Sequence, residues 1–352
     1  KTIHSFFLFP PRILIDEKIK RLRSQVIKKV DTILIDECSM IRCDVLDAID
    51  KSLKLNRNTD KTFGGVQIIL LGDVYQLPPV IRENEKEIFN NFYPMGHQFY
   101  HAKCYDQTKI KTYELTKIYR QKDKVFIDIL NKIRIGKIDN SDLLALNIKV
   151  LNKNSKIPLE TIILSPTNRK VDEINNANLH SINSKAFSYQ STQTGDFKDK
   201  PADEILELKI GAQVMLIKND NKSPKRWVNG SIGIVTDLSN DSIHVKIKNN
   251  IYKINKDTWE KFDYLIENDK VNHQVVATFT QYPIKLAWAV TIHKSQGQTF
   301  EKAIIDLDTG SFAYGQTYVA LSRVTSLEGL FLTRAIKTSD IKFEDNLNFL
   351  SV

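Results

Sequence analysis

The chain has 352 residues, enough for roughly two to three domains of about 100–200 residues each. Its 41% hydrophobic and 26% charged content is ordinary globular composition and excludes wholesale disorder. Lys and Arg total 51 against 42 Asp and Glu, a formal charge of +9 that favours an anionic partner, and three cysteines exclude a fully paired disulfide framework.

In chain order, the sequence opens at Lys1 with KTIHSFF, apolar and aromatic, without the layout of a secretion signal. It reads as the middle of a domain whose first part is absent. Three short apolar runs then end in polar chemistry. Residues 32–35 meet Asp36-Glu37, residues 67–71 meet Gly72-Asp73, and residues 161–164 meet Ser165-Pro166-Thr167. Short, β-branched, non-alternating runs predict strands buried on both faces of a parallel sheet. Asp44 is placed to cap a helix with Leu46, Ile49 and Leu53 on one face. Phe126, Ile129, Leu130 and Ile133 predict a second helix, stopped by Gly136. Asn168 is placed to cap a third, carrying Val171 and Ile174. Strands alternating with helices indicate an α/β fold, whose ligands gather at the carboxyl ends of the strands. Residues 205–282 differ: 208–217, 231–238, 242–248 and 251–254 predict strands, with turns at 239–241 and 249–250. Strand candidates at 303–306 and 329–332 restore the α/β pattern, so a small β module is inserted into a second α/β domain. No apolar run approaches the ~18–20 residues of a membrane helix. Cys38 and Cys43 fit no common zinc spacing and read as packing residues.

Five clusters carry chemistry. Asp36-Glu37 places two carboxylates at a strand end, an arrangement that suits magnesium on Asp36, partly through water, and a water polarised by Glu37. A surface acidic pair would look the same. In the segment 72–79, Gly72 opens a turn and two prolines stiffen the exit. The Gln76 amide both donates and accepts, so it can sense a terminal phosphate or an attacking water; the alternative is a plain turn. Arg120 and Arg323 each stand in apolar surroundings, where a guanidinium can neutralise a phosphoryl oxygen; a surface ion pair is the plainer reading. The segment 291–299 is dense in donors, and Gly297 permits close backbone approach to a phosphate chain. A helix start with capping hydroxyls is its alternative.

Taken together, TIHSFF, LIDECSM, LLGDVYQLPPV, LTKIYRQ, LSPTNRKVDEIN, AWAVTIHKSQGQTF and YVALSRV resemble, in order, the motifs of superfamily-one DNA helicases. The likeness is above all to the PIF family and its RecD relatives, and it covers nearly the whole chain. The run 288–300 and GDVYQLPPV are its most specific parts; YRQ alone is weak. The resemblance implies two RecA-like parallel-sheet domains and an SH3-like β module. The first domain, 1–118, is incomplete at its N-terminus and has a wedge-like insert at about 8–28 with Lys18, Lys20, Arg21 and Arg23. The second comprises 119–204 and 283–352, and the module is 205–282. ATP and Mg²⁺ are the implied cofactors. Asp36 resembles the metal ligand, Glu37 the catalytic base, and Gln76 the residue coupling phosphate sensing to DNA. Arg120 and Arg323 resemble arginine fingers, and Gly297 and Glu301 nucleotide-side residues. Thr2, His4, Thr167, Asn168, Thr291, His293 and Ser295 resemble positions along a single-strand track, while Phe6 and Phe7 are expected to pack.

The implied activity is ATP-dependent 5′–3′ translocation on single-stranded DNA and unwinding of forks, in DNA repair, recombination and telomere maintenance. The protein is expected to be monomeric, free of membranes, and cytoplasmic or nucleoid-associated in a bacterium. One departure stands out. No G-x-x-x-x-G-K-[ST] occurs, and Gly136-Lys137 is followed by Ile138. That loop supplies the phosphate cradle, its lysine and a magnesium ligand. The expectation is therefore a fragment with negligible ATP hydrolysis. Two rivals are a non-motor single-strand-binding remnant and a RecD-like subunit of a nuclease complex.

Overall fold

Two parallel sheets and an antiparallel β module organise the computed structural model. It describes residues 1–344 apart from 11, 16–18, 23, 107–109, 153–154, 156, 159, 198–199 and 268–269. In the first domain, Thr32–Ile35 and Gln67–Leu70 pair in parallel, Thr32 opposite Gln67 and Ile35 opposite Leu70. The helix Cys43–Arg57 connects them and buries Leu46, Ile49 and Leu53 completely. Burial on both faces fails here: Leu34 is 57% exposed. The reason is width, since this sheet has two strands among the described residues.

The second domain meets the expectation. Its strands run Ala289–Thr291, Ile162–Ser165, Ala303–Ile305, Leu330–Leu332, all parallel. Ile162 and Leu164 are fully buried. They share a core with Phe126, Ile129, Leu130 and Ile133 of the helix Lys124–Arg134 and with Val319, Ala320 and Leu321 of the helix Gln316–Ser322. Gly136, at φ +68°, follows the first of these helices as a stop.

Two predicted caps move by a residue or two. Asp44 lies inside the first turn of its helix, where it accepts from the Leu14 N–H at 2.8 Å and from Arg42. It ties the segment after Phe9 to the core instead of capping. Thr167, not Asn168, caps Asn168–Ser181 by accepting from the Lys170 N–H at 3.3 Å.

The module's main sheet runs Asn250–Ile254, Ser242–Ile247, Ile232–Ser239, Gln213–Leu216, Ile284–Leu286. The single strand expected over 208–217 is two, Ile205–Lys209 and Gln213–Leu216, parted near Gly211 at φ +95°. Ile205–Lys209 pairs back with Ala186–Gln190, so strand pairing extends outside 205–282 on both sides. A long hairpin, Asp257–Glu267 with Lys270–Gln281, joins Thr192–Thr194; no strand was predicted there. Its first strand runs beside the helix Gln25–Lys29 of the first domain, with Cα atoms within 8 Å.

In the expected wedge, Lys18 and Arg23 lie outside the described residues. Lys20 and Arg21 are exposed on irregular chain, and Arg21 donates to Asn58 Oδ1 at 3.3 Å. Cys38, Cys43 and Cys104 are buried free thiols, as packing residues should be. Among the described residues no helix is long and apolar enough to cross a membrane.

Candidate active site between the two parallel-sheet domains

The acidic wall grows from the end of Thr32–Ile35. Glu37 sits in the left-handed region (φ 53°, ψ 48°), a cost of about 1–2 kcal/mol for a residue with a Cβ. The surroundings hold it there. The Cys38 N–H donates to Leu71 O at 2.9 Å and the Met40 N–H to Glu37 O at 3.1 Å. Gly72 packs so closely that a Cβ would lie 2.8 Å from both Cys38 N and Sγ. Asp36 is exposed, and its Oδ1 accepts from the Glu37 N–H at 2.9 Å. Burial first, then the charges of Asp36 and Asp73, push the Glu37 pKa up; Arg323 and Arg120 pull against them. A raised carboxyl pKa is what a general base near neutrality needs.

No group of three or more His, Cys, Asp or Glu among the described residues is placed to cage a metal. Asp36 fits an ion that keeps most of its water and takes other oxygens from phosphates, as magnesium does.

The opposite wall is cationic. Arg323 ends the helix Gln316–Ser322 and is only 2% exposed. Among the described residues it donates to Val319 O at 3.1 Å and Ser322 Oγ at 2.8 Å, not to a carboxylate. Burial, then the Arg120 charge, draws its pKa down to about 10 against the pull of Tyr318, Glu37 and Asp73. Gln121 brackets it from behind, donating to Ser322 O at 2.8 Å and Val324 O at 3.0 Å. Arg120 reaches Ser322 O at 3.4 Å. Gln76, Arg120, Gln121, Tyr318 and Arg323 line an open cleft of about 100 Å³.

The segment 72–79 joins the walls. Tyr318 Oη donates to Asp73 Oδ2 at 2.8 Å, and Asp73 Oδ1 accepts from the Tyr75 N–H at 3.1 Å. Gln296 Nε2 lies 3.4 Å from Gln76 Oε1, and the Arg134 guanidinium sits 4.8 Å from the Tyr75 ring centre. Leu77 is fully buried in the core of the second domain. Gly315, at φ +68°, lies against this segment: a Cβ there would come within 2.3 Å of Tyr75 O. Asp36, Glu37, Gln76, Arg120 and Arg323 thus share one electrostatic neighbourhood. Sequence reasoning missed Asp73, Tyr318 and Gln121, although each stands in a motif beside an assigned residue.

The remaining predicted residues divide. Gly297, at φ +72°, is exposed with open space around it. The Glu301 carboxylate is 82% exposed, 3.8 Å from Lys248 of the module, and lines no part of the cleft. Thr2 caps Ile3–Phe7, and His4 meets the Phe9 ring edge-on. Phe7 is buried and stacks on Phe9 at 5.2 Å, with Phe6 edge-on beside it, so packing is their role. Thr167 and Asn168 are exposed at a helix start. Thr291 and Ser295 are not. The buried Thr291 hydroxyl accepts from the Lys294 N–H at 3.2 Å, and the buried Ser295 hydroxyl donates to Ile292 O at 2.7 Å. Both hydroxyls are engaged within the turn His293–Ser295. His293 is half-buried, and burial lowers its pKa.

Two family profiles match. That of the PIF1-like helicases covers residues 1–143, and that of the DNA helicase Pif1 2B domain covers residues 199–238. The ATP-dependent DNA helicase Pif1 of Campylobacter jejuni is 32% identical over 332 residues, spanning 88% of this chain and 70% of that protein. The chain belongs to the PIF1-like helicase family. Unliganded Pif1 from Bacteroides sp has the same architecture, with TM-score 0.87 at 36% identity over 99% of this chain and 82% of that one. Bacteroides Pif1 bound to ssDNA, at equal identity and coverage, gives TM-score 0.72. The chain spans about half the length of the fungal and human PIF1 relatives it matches. Its two parallel-sheet domains are RecA-like, and the 2B profile falls on the β module.

Proposed function

We propose that this PIF1-like chain carries the motor body of an ATP-dependent DNA helicase that moves 5′–3′ on single-stranded DNA and opens forks as a monomer. The observation that carries the reading is Arg323: a buried guanidinium with no carboxylate partner among the described residues, facing Glu37 and Asp73 across a cleft. A buried cation left in this state costs stability unless an anion completes it. ATP phosphates between the walls would do so. Glu37 would take the proton of the attacking water, while Arg323 and Arg120 neutralise charge on the transferred phosphoryl group. Magnesium, held by Asp36, would screen the phosphate charge. Gln76 and Tyr318 would pass closure of the cleft to the second domain. The Bacteroides relative solved with ssDNA supports the choice of strand.

A second reading fits the 352 residues taken alone. Their sequence contains no phosphate loop, so on their own they would hold single strands without turnover. Two measurements separate the readings: ATP turnover by this chain, and the gene sequence upstream of Lys1. A loop ending in Gly-Lys-Ser or Gly-Lys-Thr there supports the motor. In a protein that includes such a loop, Glu37→Gln should keep strand binding and stop unwinding; unwinding at the original rate would overturn the assignment of Glu37. The buried thiols suit a reducing compartment, and the reading extends to the bacterial cytoplasm or nucleoid, which cell fractionation tests.

A further inference from the structure

Residues 341–344 pass from the second RecA-like domain to the first. Ile341 is buried in the core of the second domain. Lys342 O accepts from the Gly315 N–H at 2.8 Å, at the N-terminus of the helix Gln316–Ser322 that leads into Arg323. Phe343 covers Gly136, where a Cβ would lie 2.1 Å from its ring. Glu344 then meets the first domain. Gln98 Nε2 donates to both of its carboxylate oxygens, at 2.9 Å each, and the buried Tyr100 hydroxyl lies beside the same group. Gln98 pairs with Arg42 in an antiparallel β-bridge, and the Cys43 N–H donates to the neighbouring His97 O at 2.9 Å. The segment thus connects the helix of Arg323 with the start of the helix that follows Glu37. Its chemistry makes the contact releasable. Among the described residues no cation pairs with the Glu344 carboxylate; neutral donors hold it. Burial raises its pKa against the pull of Tyr100 and Gln98. A carboxylate so placed gives up hydration to form these bonds and regains it on leaving, so their net strength is modest.

We propose that residues 341–344 form a releasable strap across the two RecA-like domains, with Glu344 latched on Gln98, and that the strap opposes binding of single-stranded DNA. The second part rests on the DNA-binding function argued above. The arrangement that the latch holds is closer to unliganded Bacteroides Pif1 than to the ssDNA-bound form, at TM-scores of 0.87 and 0.72. A contact made in one arrangement alone is forfeited by a ligand that selects another, so its free energy is subtracted from that ligand's affinity. Because Lys342 also meets the Arg323 helix, release frees the guanidinium wall to rotate against the acidic one.

A fluorescence pair across the domains, on Asp60→Cys and Leu144→Cys, reads the strap; both positions are exposed and the native thiols are buried. Glu344→Ala should broaden the distance distribution. Gln98→Ala should broaden it as much, and the two together should add little, because each removes the same bonds. Glu344→Gln keeps an acceptor for Gln98 and should preserve most of the narrow distribution. Gln98 is buried; should its variant fail to fold, Phe343→Ala replaces it by loosening the strap at Gly136. Without the dye pair, Glu344→Ala should bind a fluorescein-labelled dT oligonucleotide about threefold to tenfold more tightly, as expected for losing one opposing bond of modest net strength. Glu344→Gln should bind as the unaltered chain does. An unchanged distance distribution in Glu344→Ala overturns the strap. A broadened distribution with unchanged or weaker oligonucleotide binding overturns its opposition to the strand. Failure of the unaltered chain to bind the oligonucleotide overturns the functional reading and the second part with it, while the distances still decide the strap.

Discussion

Glu37 occupies a position that a carboxylate tolerates poorly. Its backbone is left-handed, Asp36 precedes it, and burial raises its pKa above the ordinary 4.5. The folded protein therefore holds this proton more tightly than the unfolded chain does. The stability that follows is present in full below about pH 4.5 and is lost as pH rises through the raised value. Glu37→Gln should then stabilise the chain at pH 7, by less than about 1 kcal/mol because solvent screens a half-exposed group, and should change nothing near pH 3. Melting at the two pH values checks this; a loss of stability at pH 7 would contradict it. Tyr318→Phe removes one interdomain hydrogen bond to Asp73 and should loosen the cleft. An interdomain fluorescence pair would record a wider distance distribution, and an unchanged distribution would show that the bond does not hold the cleft. The residues of this cleft were legible in sequence where chemistry restricts the residue type, as at Asp36, Glu37, Arg120 and Arg323. The turn that the Thr291 and Ser295 hydroxyls close was not, because a hydroxyl that caps a turn and one that touches a strand look alike in one dimension.

At the scale of elements, side chains that bond to backbone matter as much as apolar periodicity. Asn175 of Asn168–Ser181 donates to Ala289 O at 3.0 Å and accepts from the Ala289 N–H at 2.9 Å. It finishes the sheet at the strand Ala289–Thr291, which leads into the turn bearing His293 and Lys294. Asn175→Ala would leave a buried donor and acceptor unpaired and should cost about 2 kcal/mol in urea unfolding of the chain. An effect within error would mean that water replaces the amide. Gly315→Ala is a packing test of the domain junction: its Cβ would overlap Tyr75 O, and its φ disfavours a side chain. The variant should fold yet scatter X-rays as a more extended particle; identical scattering would show that the junction repacks. Helix periods were readable from sequence at Phe126, Ile129, Leu130 and Ile133, because burial there follows from spacing along one element. The fate of Leu34 was not, since its burial depends on how many strands lie beside it. Nor was the hairpin Asp257–Glu267 with Lys270–Gln281, whose long register was not apparent from either strand considered by itself.

Across the whole molecule, the arrangement matches the unliganded Bacteroides relative better than the ssDNA-bound one, at TM-scores of 0.87 and 0.72. Binding of a dT oligonucleotide should accordingly change the scattering profile, and a superimposable profile would mean that the strand enters without rearrangement. What any such rearrangement can move is constrained by Leu77. Its side chain is anchored in the hydrophobic interior of one lobe, while the chain only five residues earlier, at Gly72, lies against Cys38 of the other. Pulling the lobes apart at Leu77 would tear an aliphatic residue out of its bed. Rotation about the peptides between Tyr75 and Leu77 would not, because Val74 and Tyr75 still pack against the core of the other lobe. The pivot then falls at Gln76, in the lining of the gap itself, so Val74 and Tyr75 stay with the acidic lobe as the gap widens.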